Sequence, residues 1–109
     1  MGDETILGKI SEVEFGKNDG RFGLWVTLSG SWSVQSQYTC WDPEDVKVTE
    51  HTKWSEEDRD REMQKIMRKV SELLHDAKVS NVHELKNIPV EFTSKGGMLD
   101  TWRILTEVL

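Results

Sequence analysis

Cysteine, proline and long apolar runs are scarce in this chain of 109 residues. The single cysteine, Cys40, excludes an internal disulfide and is typical of a protein from a reducing compartment. No apolar run approaches the ~18 residues of a membrane span. The first four residues have neither the basic region nor the apolar stretch of a secretory signal. We therefore expect a cytoplasmic protein without membrane contact, folded as one domain over residues 1–109.

Basic residues are also in the minority, since 14 Lys and Arg stand against 20 Asp and Glu, a formal net charge of −6. This balance argues against direct binding of nucleic acid, which needs a basic surface. The acidity is local, because residues 42–62 hold nine acidic and four basic side chains. This segment is either a solvated helix start or an acidic surface that attracts a basic partner.

Motifs of catalysis and of metal binding are lacking as well. The chain has no GxSxG, no Gly-rich phosphate loop and no HExxH. The three histidines lack the spacing of a zinc-binding helix, and Cys40 has no CxxC partner. Asp42, Glu44 and Asp45 lack the spacing of a calcium loop. We expect no catalytic residue, no metal and no cofactor, and hence no enzyme.

Alternating apolar residues predict three strands in the first part of the chain. In residues 6–15, Ile6 and Ile10 differ in parity from Val13 and Phe15, so the strand either contains a bulge near residues 11–12 or begins later. A turn at residues 16–20 leads to strictly alternating residues 21–28. Ser29-Gly30 predicts a tight hairpin into a third strand, residues 31–40.

One long helix is predicted from about Glu56 to Ala77. Ser55 is a suitable N-cap, and Asp58 stands where a capping box has its second member. The apolar stripe that should lie on the sheet recurs at helical spacing. Its members are Met63, Ile66, Met67, Val70, Leu73, Leu74 and Ala77.

A short helical turn over residues 81–85 and a second hairpin complete the chain. Residues 88–93 alternate, residues 95–97 turn, and residues 98–105 form the last strand. Pro89 belongs at a strand start or a sheet edge, because it cannot donate to a ladder. The order β-β-β-α-β-β predicts an α+β fold, with a mostly antiparallel sheet and the long helix on one face.

Tryptophan is the one residue type in excess, with five in the chain. Trp32 and Trp102 belong to faces that are expected to pack in the core. Trp25 projects to the opposite, polar face, and Trp41 and Trp54 bracket the acidic segment. Either this segment folds back and covers Trp25, or Trp25 is an exposed anchor for a partner, since tryptophan is enriched in binding hot spots.

Three stretches of the sequence resemble small uncharacterised proteins of bacteriophages and prophages. They are Gly8-Lys9-Ile10 through Phe15-Gly16, His51 through Arg59 (HTKWSEEDR), and Trp102 through Leu109 (WRILTEVL). No catalytic motif comes with the resemblance. It implies a phage accessory gene, a class that often encodes inhibitors of host systems.

These observations predict a non-enzymatic protein that binds and inhibits a host protein with a basic surface, for instance one of a nucleic-acid-targeting defence system. The first alternative is a protein that binds or sequesters a nucleotide-like small ligand, for which Arg21 beside Trp25 and Arg103 beside Trp102 are available. The second is a structural protein that oligomerises. The oligomeric state is left open. The residues expected to contact the partner are Asp42, Glu44, Asp45, Glu50, Glu56, Glu57, Asp60, Trp25, Trp41 and Trp54.

Overall fold

The computed structural model describes residues 4–42 and 55–109. They form five strands, one long α-helix and two short 3₁₀ turns. The strands are β1 (Glu4–Asn18), β2 (Arg21–Ser29), β3 (Ser33–Trp41), β4 (Pro89–Lys95) and β5 (Met98–Ile104). The helix is α1 (Glu56–Ala77), and the 3₁₀ turns are Val82–Leu85 and Thr106–Val108.

All strand pairs are antiparallel, and the sheet has the order β3-β2-β1-β4-β5. The long first strand is central, because its first half pairs with β4 and its second half with β2. The α+β class and the order β-β-β-α-β-β are therefore confirmed. Pro89 is the first residue of β4, as its missing N–H requires.

A bulge in β1 resolves the conflict of parity in the sequence. The register with β2 shifts between Ile10 and Glu12, so Ile10 pairs with Leu28 and Val13 with Val26 on the same face. The turn that follows is shorter than predicted, because the strand continues to Asn18 and only Asp19 and Gly20 turn. Both have positive φ, 52° and 75°, which is the geometry of a type I′ hairpin.

The core lies between α1 and the sheet face formed by the even-numbered residues of β2. Its fully buried side chains include Ile10, Leu24, Leu28 and Phe92. From the helix, Val70, Leu73 and Ala77 enter the same cluster, and Ile66 is also buried. The expectation for Met67 is wrong, since its side chain is 50% exposed.

The sheet curls so strongly that its two edge strands meet through their side chains. In a flat sheet, four strand spacings of about 4.8 Å would separate β3 from β5 by about 19 Å. Instead, Trp102 Nε1 of β5 donates hydrogen bonds to Tyr38 Oη (2.6 Å) and Ser36 Oγ (3.2 Å) of β3. Gly8 permits the curl, because a Cβ there would collide with the carbonyl of Ser29. The fold is thus an open antiparallel sheet of five strands, curled so that side chains of its two edge strands meet.

Of the helices in the described residues, none has the length and apolar character that would let it cross a membrane.

Candidate functional site

The first turn of α1 carries the acidic residues that the sequence predicted for a binding surface. Ser55 and Asp58 form a capping box, in which the Asp58 N–H donates to Ser55 Oγ and the Ser55 N–H donates to Asp58 Oδ2. This hydrogen bond from the Ser55 backbone lowers the pKa of Asp58. Asp58 also pairs with Arg61 and is thereby engaged within the helix.

Three other carboxylates near the helix start remain open to a partner. Glu56, Glu57 and Asp60 are exposed, and in residues 4–42 and 55–109 no ion pair or hydrogen bond engages their side chains. We call these three residues the acidic helix start. Their negative charge lies at the positive end of the helix dipole, which favours it in the absence of any partner.

The expected role of Asp42 in an exposed surface is not supported. Asp42 is only 4% exposed, and its Oδ1 lies 3.1 Å from Lys17 Nζ. A buried carboxylate in an ion pair holds the end of β3 against β1 and presents little charge to solvent. The other expected contact residues, Glu44, Asp45, Glu50 and Trp54, lie outside the described residues.

Trp41 is an exposed tryptophan in a fixed setting. Its side chain is 54% exposed, and the guanidinium of Arg21 lies 4.9 Å from the ring centroid. Arg21 is the register partner of Trp41 in β2. It is held in turn by Thr39, because Arg21 Nε donates a 2.9 Å hydrogen bond to Thr39 Oγ1. The chain therefore fixes one face of the indole before any partner arrives.

Trp41 and the acidic helix start lie at the same end of the molecule. The ammonium of Lys69 in α1 lies 5.1 Å from the Tyr38 ring centroid in β3. Two turns earlier in the helix, Glu62 is close enough to Cys40 for its carboxylate to raise the pKa of the thiol, although burial of the thiol is the larger cause. The helix thus runs antiparallel to β3, and its first turn lies at the end of the sheet where β3 finishes. Trp41 lies at this same end, but its ring stacks on Arg21 on the face of the sheet opposite to α1.

Trp25 is buried on the face of the sheet opposite to α1. It is 7% exposed, so the hypothesis of an exposed anchor is wrong for this residue. The segment that was expected to cover it lies largely outside the described residues. Trp25 lines a cavity of about 250 Å³. The cavity's other lining residues include Glu14, Asp19, Arg21, Gln35 and Gln37.

The small-ligand alternative named two arginine–tryptophan pairs, and the structure brings only one of them to a common cavity. Arg21 and Trp25 line the same cavity. Arg103 and Trp102 project to opposite faces of β5, because Arg103 pairs with Glu91 and Glu107 while Trp102 reaches Tyr38. Only the first pair is available to one ligand.

In residues 4–42 and 55–109, the side chains that could bind a metal are dispersed. These residues contain no group of three His, Cys, Asp or Glu side chains that could hold a metal ion. Cys40 is 4% exposed, and burial raises the pKa of its thiol, which disfavours the nucleophilic thiolate. His75 and His83 are exposed, and His51 lies outside the described residues.

Sequence reasoning identified the tryptophans and the acidic segment but missed two features of this end of the molecule. It did not pair Arg21 with Trp41, and it did not bring Glu14 and Asp19 to the cavity beside Trp25.

Comparison with protein-family models, with curated proteins and with solved structures found no match.

Proposed function

We propose that this protein is a non-enzymatic binding protein that docks on a basic surface of another protein through Trp41 and the acidic helix start. One observation carries the proposal. An exposed tryptophan, fixed on Arg21, lies at the same end of the molecule as three exposed carboxylates that no described residue pairs. The two features have complementary physical roles.

Trp41 would contribute to the affinity for the partner, and the carboxylates would contribute to the association rate and to the orientation of the partner. A tryptophan that is already held in place loses little conformational freedom on binding, which favours a hot spot. Glu56, Glu57 and Asp60 produce a negative potential that attracts a basic surface and accelerates encounter. The resemblance to phage proteins makes a host protein the expected partner. Inhibition would follow from occupation of its basic surface, such as a nucleic-acid-binding groove.

Neutralisation of the acidic helix start tests the proposal. The triple variant Glu56→Gln, Glu57→Gln, Asp60→Asn is immobilised beside the wild type and exposed to bacterial host lysate, and mass spectrometry identifies the captured proteins. We expect the variant to associate roughly tenfold more slowly with the protein that the wild type captures, because electrostatic steering is reduced. Surface plasmon resonance measures the association rate. Trp41→Ala should mainly accelerate dissociation, because it removes contact area.

The matched control is the triple variant Glu4→Gln, Glu12→Gln, Asp100→Asn. It changes the same number of exposed carboxylates elsewhere and leaves the same net charge. Equal losses in both triple variants would show that only overall charge matters. Unchanged binding by the first triple variant, or by Trp41→Ala, would contradict the proposed surface.

A further inference from the structure

A second site lies on the face of the sheet that α1 does not cover, in the cavity beside Trp25. Its volume of about 250 Å³ is just below the ~300–1,000 Å³ of pockets for drug-sized molecules. The cavity therefore has room for about one ring with its substituents. Its lining comes from β1, β2, β3 and the β1–β2 turn, so the sheet positions it.

Within residues 4–42 and 55–109, the indole N–H of Trp25 has no hydrogen-bond acceptor. Trp25 is 7% exposed, and tryptophans buried to this degree usually have a hydrogen-bond partner for this group. No described residue supplies one to Trp25, and its Nε1 keeps some exposure to solvent. Because Trp25 lines the cavity, a molecule bound there can supply the acceptor.

The two glutamines of β3 add a donor and an acceptor side by side. Gln37 Nε2 donates a 2.9 Å hydrogen bond to Gln35 Oε1. This bond fixes both amides and leaves the Gln35 amide hydrogens as donors and Gln37 Oε1 as an acceptor.

The charged groups of the cavity act against a charged ligand. Glu14 and Asp19 supply carboxylates, while Arg21 is engaged by Thr39 and Trp41. A phosphate would meet two carboxylates against one arginine. A cation would satisfy the carboxylates but leave the Trp25 N–H without an acceptor.

We propose that this cavity binds one uncharged ring that carries several hydroxyl groups. Each hydroxyl both donates and accepts, so neighbouring hydroxyls can donate to Glu14 and Asp19 and accept from Trp25 and Gln35 at the same time. A monosaccharide unit and a ribose share this chemistry. The site is separate from the protein-docking surface proposed above, and its test does not depend on that proposal.

The indole resonances of ¹⁵N-labelled protein report on the site, with Trp25 assigned through Trp25→Phe. The probes are methyl pyranosides of glucose, galactose, mannose and N-acetylglucosamine, together with methyl ribofuranoside and adenosine. We expect a saturable shift of the Trp25 resonance with at least one of them. A response to the pyranosides alone identifies a sugar unit, and a response to methyl ribofuranoside and adenosine identifies a ribose. Inorganic phosphate and guanidinium are added as charged controls. The proposal is overturned if none of the rings shifts the resonance, whether or not a charged control does.

Glu14→Gln and Glu12→Gln form a matched pair of variants on the same face of β1. Glu14 lines the cavity and Glu12 does not. Loss of a charged acceptor should weaken binding of the responding probe roughly tenfold in Glu14→Gln, while Glu12→Gln should bind as the wild type does. Trp25→Phe should also weaken binding in calorimetry if its melting curve shows a folded protein. Equal affinities of Glu14→Gln and Glu12→Gln would overturn the site even if Trp25→Phe failed to fold.

Discussion

At the scale of single residues, α1 shows why apolar character alone does not decide burial. The buried positions Ile66, Val70, Leu73 and Ala77 lie within about 60° of one another around the helix. Met67 lies about 90° from the centre of this stripe and is 50% exposed. The sequence pattern made the stripe too wide, because it counted every apolar residue at helical spacing. The curled sheet buries a narrower stripe of the helix.

This difference predicts different costs for Leu73→Ala and Met67→Ala. Leu73 is 3% exposed within the core cluster, and its truncation should lower the free energy of unfolding by about 2–5 kcal/mol. Met67→Ala should cost well under about 1 kcal/mol, because little of its contact with the protein is lost. Urea denaturation of both variants measures the two values. Similar losses would contradict the placement of Met67 outside the core.

At the scale of elements, the sequence predicted those features that depend only on residues close together in the chain. The helix bounds Glu56–Ala77 and the Ser55 cap follow from neighbouring residues, and the structure has both. For β1 the sequence left open a bulge or a later start, and the structure has the bulge before Glu12. The register between β2 and β3 was not predicted correctly from the sequence. The tight turn predicted at Ser29-Gly30 would pair Arg21 with Tyr38, whereas the observed loop, residues 30–32, pairs Arg21 with Trp41. A small error in loop length thus concealed the cation–π contact.

The capping box predicts a specific dependence of helix stability on pH. Because the Ser55 N–H lowers the pKa of Asp58 in the folded state, ionised Asp58 stabilises the fold at pH values above its unfolded pKa. This contribution is lost as the pH falls through the lower folded pKa. Asp58→Asn should therefore lower the Tm at pH 7, and its difference from the wild type should shrink below about pH 4. Asp100→Asn, outside any cap, is the control for loss of charge. A constant difference between Asp58→Asn and the wild type from pH 7 to pH 3 would contradict this role.

At the scale of the whole molecule, the curled sheet depends on contacts between residues far apart in sequence. Trp102 and Tyr38 belong to opposite edges of the sheet, and Lys69 of α1 lies over both rings, 5.8 Å and 5.1 Å from their centroids. The alternation of β3 and β5 predicted which face each aromatic residue occupies. It carried no information on the curl that brings the edges together, because curl depends on the bulge, on Gly8 and on the length of β1 jointly. The cavity beside Trp25 was hidden because its lining from β3 depends on the register with β2, which the predicted turn misplaced.

A double-mutant cycle tests whether the contact between the edge strands stabilises the curled sheet. Trp102→Phe removes the donor, Tyr38→Phe removes the stronger acceptor, and both keep an aromatic ring beside Lys69. Each single variant should lower the free energy of unfolding by about 0.5–1.5 kcal/mol, the usual net value of a hydrogen bond. The double variant should lose less than the sum of the two, with a coupling of at least about 0.5 kcal/mol. Thr101→Val, on the other face of β5, is a control that should show no coupling to Tyr38→Phe. Strict additivity of Trp102→Phe and Tyr38→Phe would mean that β3 and β5 meet without stabilising each other, and that the helix and the central strands alone keep the sheet curled.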